Sequence, residues 1–290
     1  MKAKYVNPFT DFGFKKIFGE EACKPILLDF LNALLPPSNQ ISDLTFKNNE
    51  QLGKTDLDRA AVFDIYCENK KGEKFIVELQ KAKQNFFKER TIYYSTFPIR
   101  EQAEKGEWNY NLKAVFCVGI LDFTFDDYGA DENKNEVIHT VKLKNQNGKI
   151  FYDKLTFIYL EMPNFTKAEN NLDNRLEQWM YFLKHLEDFQ SIPAIFKDNI
   201  FKSAFQTAEI AKFNQGELEG YENSLKIYRD LKGVIDTARD EGWVEGKIEG
   251  KIEGKIEEKF ELAKIMKENG EPIEKIIKYT GLNKDQIDGL

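Results

Sequence analysis

Three oxygen-bearing side chains, Asp64, Glu78 and Gln80, lie within two segments, 61–68 and 75–80, that alternate between apolar and other residues. A two-residue alternation is typical of β-strands with one face on the core. If the segments pair as a hairpin, the two carboxylates and the amide project together. Neighbouring carboxylates repel unless they are protonated or bridged by a hard cation, and oxygen ligands suit Mg²⁺ or Mn²⁺. Such an ion would polarise a phosphodiester and activate a water. The alternative is a solvated hairpin whose polar face carries acids.

The connection between the two segments predicts their register. Residues 69–73 read Asn-Lys-Lys-Gly-Glu, and the glycine suits the left-handed position of a three-residue bulged turn. With the first and last of these residues as the closing pair, Asp64 lies opposite Glu78 and Val62 lies opposite Gln80. Two acids directly across a strand pair cost a few tenths to about 1 kcal/mol. A cation between them would remove that cost.

Other periodic segments supply the elements that must hold this hairpin. The order of helix, strand, hairpin, helix and two further strands predicts an α/β core with a mixed sheet. From residue 171 onward the period is helical. The predicted segments are a helix begun by Thr10 or Asp11 with Lys15 and Lys16 exposed, a helix over 25–34, a helix over 86–106 kinked or interrupted at Pro98, a strand over 112–121 covered on both faces, a hairpin through 137–143 and a strand over 155–160.

The composition narrows the class of protein. The chain has 290 residues, of which 41% are hydrophobic and 13% aromatic, enough for a sizeable core. The absence of a long apolar run and of a signal-peptide pattern argues against membrane insertion and secretion. Three Cys and two His are too few for a disulfide framework or a Cys/His zinc cluster. These features predict a cytoplasmic protein in a reducing compartment.

Charge is distributed unevenly along the chain. The formal net charge of −7 argues against a protein that coats nucleic acid through its overall charge. Residues 81–113, however, carry seven basic side chains against four acids, whereas residues 122–139 carry six acids against one lysine. A polyanion would therefore contact the first region.

The acid pair and the segments around it resemble the PD-(D/E)xK nuclease superfamily, and more narrowly its recombination-promoting nuclease (Rpn) and transposase-like family. The resemblance covers nearly the whole chain and is most specific over residues 7–115. It depends on the order and spacing of several motifs together. These are Asp-Phe-Gly-Phe-Lys-Lys-Ile-Phe-Gly at 11–19, Phe-Asp-Ile at 63–65, Val-Glu-Leu-Gln at 77–80, a helix with Arg90, Tyr93 and Tyr94, Leu-Glu-Met-Pro-Asn-Phe at 160–165, and a Gly-Lys-Ile-Glu tail.

The resemblance implies a restriction-endonuclease-like core and Mg²⁺-dependent cleavage of DNA. Asp64 and Glu78 then correspond to the metal-binding acids, and Gln80 stands where the superfamily usually has a lysine that orients water and stabilises negative charge. The narrower family commonly has Glu-x-Gln at this place. Strand alternation predicts that Lys81 points to the opposite face, whereas Lys83, at the junction with the next helix, is the better placed substitute.

Further site candidates follow from the resemblance. Asp11 is either a second acid near the metal or a simple helix cap. Arg90 either contacts a phosphate or pairs with a carboxylate, and Tyr94 packs one turn away. Gln102 is expected to hydrogen-bond near the site. Asp56 and Asp58 are interpreted as loop caps.

The tail repeats the tetrad Glu-Gly-Lys-Ile from residue 245. On a helix, this spacing aligns the apolar side chains of residues 244–260 into one stripe, although the glycines each cost close to 1 kcal/mol and opposite-charge pairs four residues apart are missing. A second copy covering the stripe would make the protein a homo-oligomer. The alternative is a low-complexity linker. The last residues have a helix-turn-helix outline, but Asp285 and Asp288 make direct reading of DNA there the weaker interpretation.

Together these observations predict three segments and two candidate functions. The segments are a nuclease-like core over residues 1–163, a helical extension packed on it over 164–240, and a repeat helix with a helical tail over 241–290. The first candidate function is a Mg²⁺-dependent DNA endonuclease, with Mn²⁺ as substitute ion, that acts in recombination or mobile-element biology. The alternative is a catalytically weak or inactive nuclease fold that serves as a DNA-binding or self-assembly module.

Overall fold

A computed structural model describes residues 3–51, 61–103, 108–125 and 135–290. Asp56, Asp58 and most of the predicted acidic stretch lie outside these ranges. The helices are α1 (Asp11–Phe18), α2 (Lys24–Leu34), α3 (Phe87–Glu101), α4 (Arg175–His185), α5 (Asn199–Thr207), α6 (Gln215–Glu268), α7 (Ile273–Thr280) and α8 (Lys284–Asp288). The strands are β1 (Leu44–Phe46), β2 (Glu50–Gln51), β3 (Ala61–Val62), β4 (Ile65–Asn69), β5 (Lys74–Gln80), β6 (Val115–Leu121), β7 (Ile138–Lys144) and β8 (Ile150–Glu161).

Six strands form a mixed central sheet in the order β1-β4-β5-β6-β8-β7. Strands β5, β6 and β8 are parallel to one another, and β1, β4 and β7 pair antiparallel with their neighbours. Because β5 and β6 run parallel, their carboxyl ends lie at the same edge of the sheet. There the Asp122 amide donates to the Gln80 carbonyl at 2.9 Å. Helices cover both faces. The predicted α/β restriction-endonuclease-like architecture, with a mixed sheet flanked by helices and a C-terminal helical extension, is confirmed.

The predicted register of the hairpin is confirmed over β4 and β5. Ile65 pairs with Val77, and Glu68 pairs with Lys74. The turn has Gly72 at a φ of 79°, which a side chain would strain. Continuing the same register brings Asp64 opposite Glu78, at the point where the regular strand ends.

The predicted strand 61–68 is wrong in one respect, because it breaks at Phe63 and Asp64. Residues before the break form β3, in which Val62 pairs with Glu50 of a separate two-stranded sheet rather than with Gln80. The break also shifts the alternation by one residue. Phe63 therefore lies in the same apolar cluster as Tyr66, although the sequence alternation separates them.

The prediction that the hairpin has one face on the core is also wrong, because all seven residues of β5 are buried. Ile65, Phe75 and Val77 belong to the larger apolar core. Tyr66 and Ile76 belong to a second cluster on the other face, which α3 covers with residues such as Phe87 and Phe97. Strand β6 is buried on both faces, as its continuous apolar run predicts.

The first face of the sheet packs against α1, α2, α4, α5 and the first turns of α6. Trp179 of α4 is fully buried, and its indole donates to Asp29 at 2.7 Å. Lys16, predicted to be exposed, is instead half-buried and pairs with Glu217 of α6 at 2.6 Å. α3 ends before the predicted position and continues through Pro98, which lies in its last turn.

Contacts divide the chain into two compact units, Met1–Asp230 and Leu231–Leu290. The second unit has a small core of Ala263, Ile276, Leu282 and Ile287. Residues 261–268 form the end of α6. No helix in the described part of the chain combines the length and the apolar character needed to cross a membrane.

Candidate active site

At the break in the strand, the side chains of Asp64 and Glu78 each accept a hydrogen bond from a backbone amide on the opposite strand. The Asp64 amide donates to Oε1 of Glu78 at 3.1 Å, and the Leu79 amide donates to Oδ2 of Asp64 at 2.7 Å. Side-chain oxygens thus accept hydrogen bonds that carbonyls would accept in a regular ladder. The two predicted acids are brought together by this exchange.

Both carboxyl groups are shifted towards the protonated form. Burial, followed by the negative charge of Asp64, raises the pKa of Glu78 to about 8. Burial also raises the pKa of Asp64, against the opposing effects of the Leu79 hydrogen bond and the charge of Lys15. An acid pair in this state binds either a proton or a cation at neutral pH.

A largely apolar wall around Glu78 explains why its pKa is raised. The side chain is 8% exposed and lies among Phe87, Thr91 and Tyr94 of α3 and Tyr159 of β8. Thr91 and Tyr159 satisfy each other through a 2.7 Å hydrogen bond. The wall therefore offers Glu78 little compensation for its lost hydration.

Arg90 supplies positive charge near Glu78. Its guanidinium lies 5.6 Å from the ring centroids of both Phe87 and Tyr94, and its charge lowers the pKa of Glu78 against the effect of burial. It also hydrogen-bonds Gln84. The buried Nε atom of Arg90 has no hydrogen-bond partner among the residues that the structure describes.

An open cleft of about 510 Å³ lies on the Asp64 side, between α1 and the first turns of α6. Asp11, Lys15, Asp64 and Lys81 line it. Thr10, not Asp11, caps α1, since its hydroxyl accepts from the Gly13 amide at 3.0 Å. Asp11 instead pairs with Lys15 at 2.9 Å.

Two lysines bring positive charge to Asp64. Burial lowers the pKa of Lys15, but the hydrogen bond to Asp11 and the nearby carboxylates outweigh this effect, so the pKa is raised. Burial lowers the pKa of Lys81, while the charges of Asp11 and Asp64 act in the other direction. The prediction that Lys81 points away is wrong, because β5 ends at Gln80 and strand alternation does not extend beyond it.

The other predicted residues are divided between this site and distant places. Gln80 is buried, and its amide lies 3.5 Å from Glu78. Lys83 lines a different cleft beside Phe86 and Phe123. Gln102 lies at the far end of α3, where its amide and carbonyl bind Pro98 and Lys113. About twelve residues of helix separate it from Arg90, or roughly 18 Å.

The donor set fits a hard divalent cation. Asp64 and Glu78 offer carboxylate oxygens, and Gln80 adds an amide. No group of three or more His, Cys, Asp or Glu side chains suited to a metal converges anywhere in the described ranges. Mg²⁺ commonly binds through one or two carboxylates and takes its remaining ligands from water and phosphate, so two acids suffice.

The mixed six-stranded sheet flanked by helices places the protein in the restriction-endonuclease-like fold class. The chain belongs to the PD-(D/E)XK nuclease family transposase group, whose family model matches residues 8–238. The resemblance noted in the sequence is thereby confirmed. The chain has no significant match among curated proteins or solved structures.

Proposed function

We propose that the protein is a divalent-metal-dependent DNA endonuclease that hydrolyses phosphodiester bonds, with Asp64 and Glu78 holding Mg²⁺ or Mn²⁺. The family gives the general class, and DNA processing in recombination or transposition is the role that this class suggests. The observation that carries the proposal is the buried Glu78 carboxyl beside Asp64, whose amide donates to Oε1 of Glu78 at 3.1 Å. A divalent ion held by both carboxylates would remove the repulsion between them.

The surrounding residues have distinct roles in this proposal. The bound ion would polarise the phosphodiester and activate a water. Gln80 donates and accepts hydrogen bonds that orient the water, and the charge of the Arg90 guanidinium, which acts on Glu78, stabilises the negative charge of the bound phosphate. Lys81 and Lys15 supply the positive charge that a lysine at position 80 would otherwise provide.

Plasmid nicking by the purified protein in Mg²⁺ tests the proposal, with Asp64→Ala and Glu78→Ala as the variants. Both should lose cleavage while retaining the wild-type circular dichroism spectrum. Asp153→Ala is the matched control, because Asp153 is an exposed acid near the start of β8. Cleavage that is unchanged in both acid variants would contradict the proposal.

A second candidate function, self-association through α6, is supported by the exposed isoleucine stripe. Ile248 and Ile252 are each 54% exposed, and Ile256 is 46% exposed. At 3.6 residues per turn, glutamates follow one flank of this stripe and lysines follow the other. Two copies packed in parallel about a twofold axis would place the glutamates of one against the lysines of the other, whereas antiparallel packing would oppose like charges.

Light scattering of the full chain tests this candidate. Ile252→Asn combined with Ile256→Asn should lower the mass per particle if the stripe is an interface. Lys251→Gln with Lys255→Gln leaves the stripe intact and should weaken association in a manner that added salt reproduces. A mass that is the same for all three proteins would favour a linker role for this segment.

A further inference from the structure

An exposed aromatic side chain stands at the start of α3, outside the acid pair. Phe86 is 76% exposed and has a φ of 61°, a left-handed conformation that is unusual for a bulky residue. Its ring adds nothing to the core. Together with Phe87, Phe123 and Phe125, it lines a cleft of about 240 Å³.

Basic side chains surround this aromatic cleft. Lys83 and Lys88 line it, and the ammonium of Lys88 lies 4.8 Å from the ring centroid of Phe125. Residues 81–90 contain four basic side chains against one acid, in a chain of net charge −7. The side of the cleft formed by residues 83–90 is therefore complementary in charge to a phosphate backbone, although Glu89 also lines the cleft.

The aromatic cleft adjoins the pocket around Glu78. Phe87 borders both the cleft and the wall around Glu78. The guanidinium of Arg90, whose charge acts on Glu78, lies 5.6 Å from the Phe87 ring centroid. A nucleic acid strand with one phosphate at the acid pair would therefore pass its neighbouring bases towards Phe86.

We infer that Phe86 and the aromatic cleft bind an unpaired base of single-stranded DNA next to the scissile phosphate, while Lys83 and Lys88 contact flanking phosphates. Aromatic rings stack on any base but need its face uncovered, as it is in a single strand. The inference rests on the proposed function, because it takes DNA as the ligand. It adds a preference for unpaired substrate.

Fluorescence anisotropy of a labelled 20-nucleotide single strand tests the inference, with Ca²⁺ in place of Mg²⁺ and the strand length checked on a gel. Phe86→Ala should weaken binding about tenfold, or about 1.4 kcal/mol. Phe86→Leu, which keeps apolar bulk without a flat ring, should lose a similar amount, and Phe86→Trp should bind as the wild type does. The dependence of affinity on salt should stay unchanged in these three variants, whereas Lys83→Met and Lys88→Met should each reduce its slope.

Tyr110→Ala is the matched control, because Tyr110 is 77% exposed and has a φ of 58°. Tyr110 precedes the start of β6, whereas the aromatic cleft lies beyond its end, and the strand is roughly 23 Å long at about 3.3 Å per residue. Tyr110→Ala should therefore have no effect on binding. The inference is overturned if Phe86→Ala binds within twofold of the wild type, if Tyr110→Ala loses as much affinity, or if the wild type binds no single strand. Plasmid cleavage by the wild type and the acid variants is a separate readout. If binding depends on Phe86 but the wild type does not cleave, only the endonuclease proposal is removed. If the wild type cleaves but binding does not depend on Phe86, only the stacking site is removed.

Discussion

Glu78→Gln should stabilise the metal-free protein at alkaline pH, because it removes a charge that the fold buries. The pKa of Glu78 in the folded protein is about 8, against an ordinary value of 4.5. A raised folded-state pKa means that the stabilising contribution is fully present below pH 4.5 and is lost as the pH rises through 8. At about 1.4 kcal/mol for each pKa unit, full ionisation costs roughly 4–5 kcal/mol.

Thermal unfolding in EDTA at a series of pH values measures this cost. Glutamine keeps the shape of the side chain and an oxygen that accepts from the Asp64 amide. The two proteins should melt together near pH 4.5, and the variant should melt roughly 8–20 °C higher at pH 9, at about 2–4 °C for each kcal/mol in a domain of this size. Because the charge of Asp64 contributes to the raised pKa of Glu78, removing Glu78 also makes Asp64 easier to ionise, so the difference in melting temperature measures the acid pair rather than Glu78 alone.

Adding Mg²⁺ at pH 8 should narrow the difference in stability between the two proteins. A ligand present at 100 times its Kd stabilises the folded state by about 2.7 kcal/mol. The wild type should gain this stability, and Glu78→Gln, with one carboxylate fewer, should gain much less. A difference in melting temperature that does not change between pH 4.5 and pH 9 would refute the argument that Glu78 is buried with a raised pKa, and equal Mg²⁺ effects in the two proteins would refute its role as a metal ligand.

Three further substitutions test other parts of the structure. Lys81→Met should reduce cleavage by 10-fold or more in a plasmid-nicking assay, like the loss of other groups that stabilise developing charge, and Lys144→Met, which changes an exposed lysine at the end of β7, serves as its control. Gly119→Ala should lower the free energy of unfolding by about 1–3 kcal/mol, because the new Cβ would lie 2.9 Å from the Tyr159 ring; urea unfolding that matches the wild type would contradict this packing. Gly72→Ala should cost about 1 kcal/mol by the same measurement, since its φ of 79° suits glycine alone.

The hairpin shows how far local signals extend. Its turn residues and two-residue alternation predicted the pairing of β4 with β5, because turn geometry and strand period are local properties. The same alternation failed at Phe63, where the chain leaves the ladder, and beyond Gln80, where the strand ends. Periodicity identifies a face only while a strand continues, so Lys81 was assigned to the wrong side.

The sequence by itself determined the mixed α/β architecture, the hairpin register and the pairing of Asp64 with Glu78, because spacing and turn chemistry are written in neighbouring residues. The tertiary structure alone decided that α3 covers the second face of β5, so that Glu78 is buried and its pKa rises. It also decided that Lys15 of α1 and Lys81 after β5 meet at Asp64, and that Phe86 stays exposed before α3. These arrangements depend on contacts between segments far apart in the chain, and burial and charge at the site follow from those contacts.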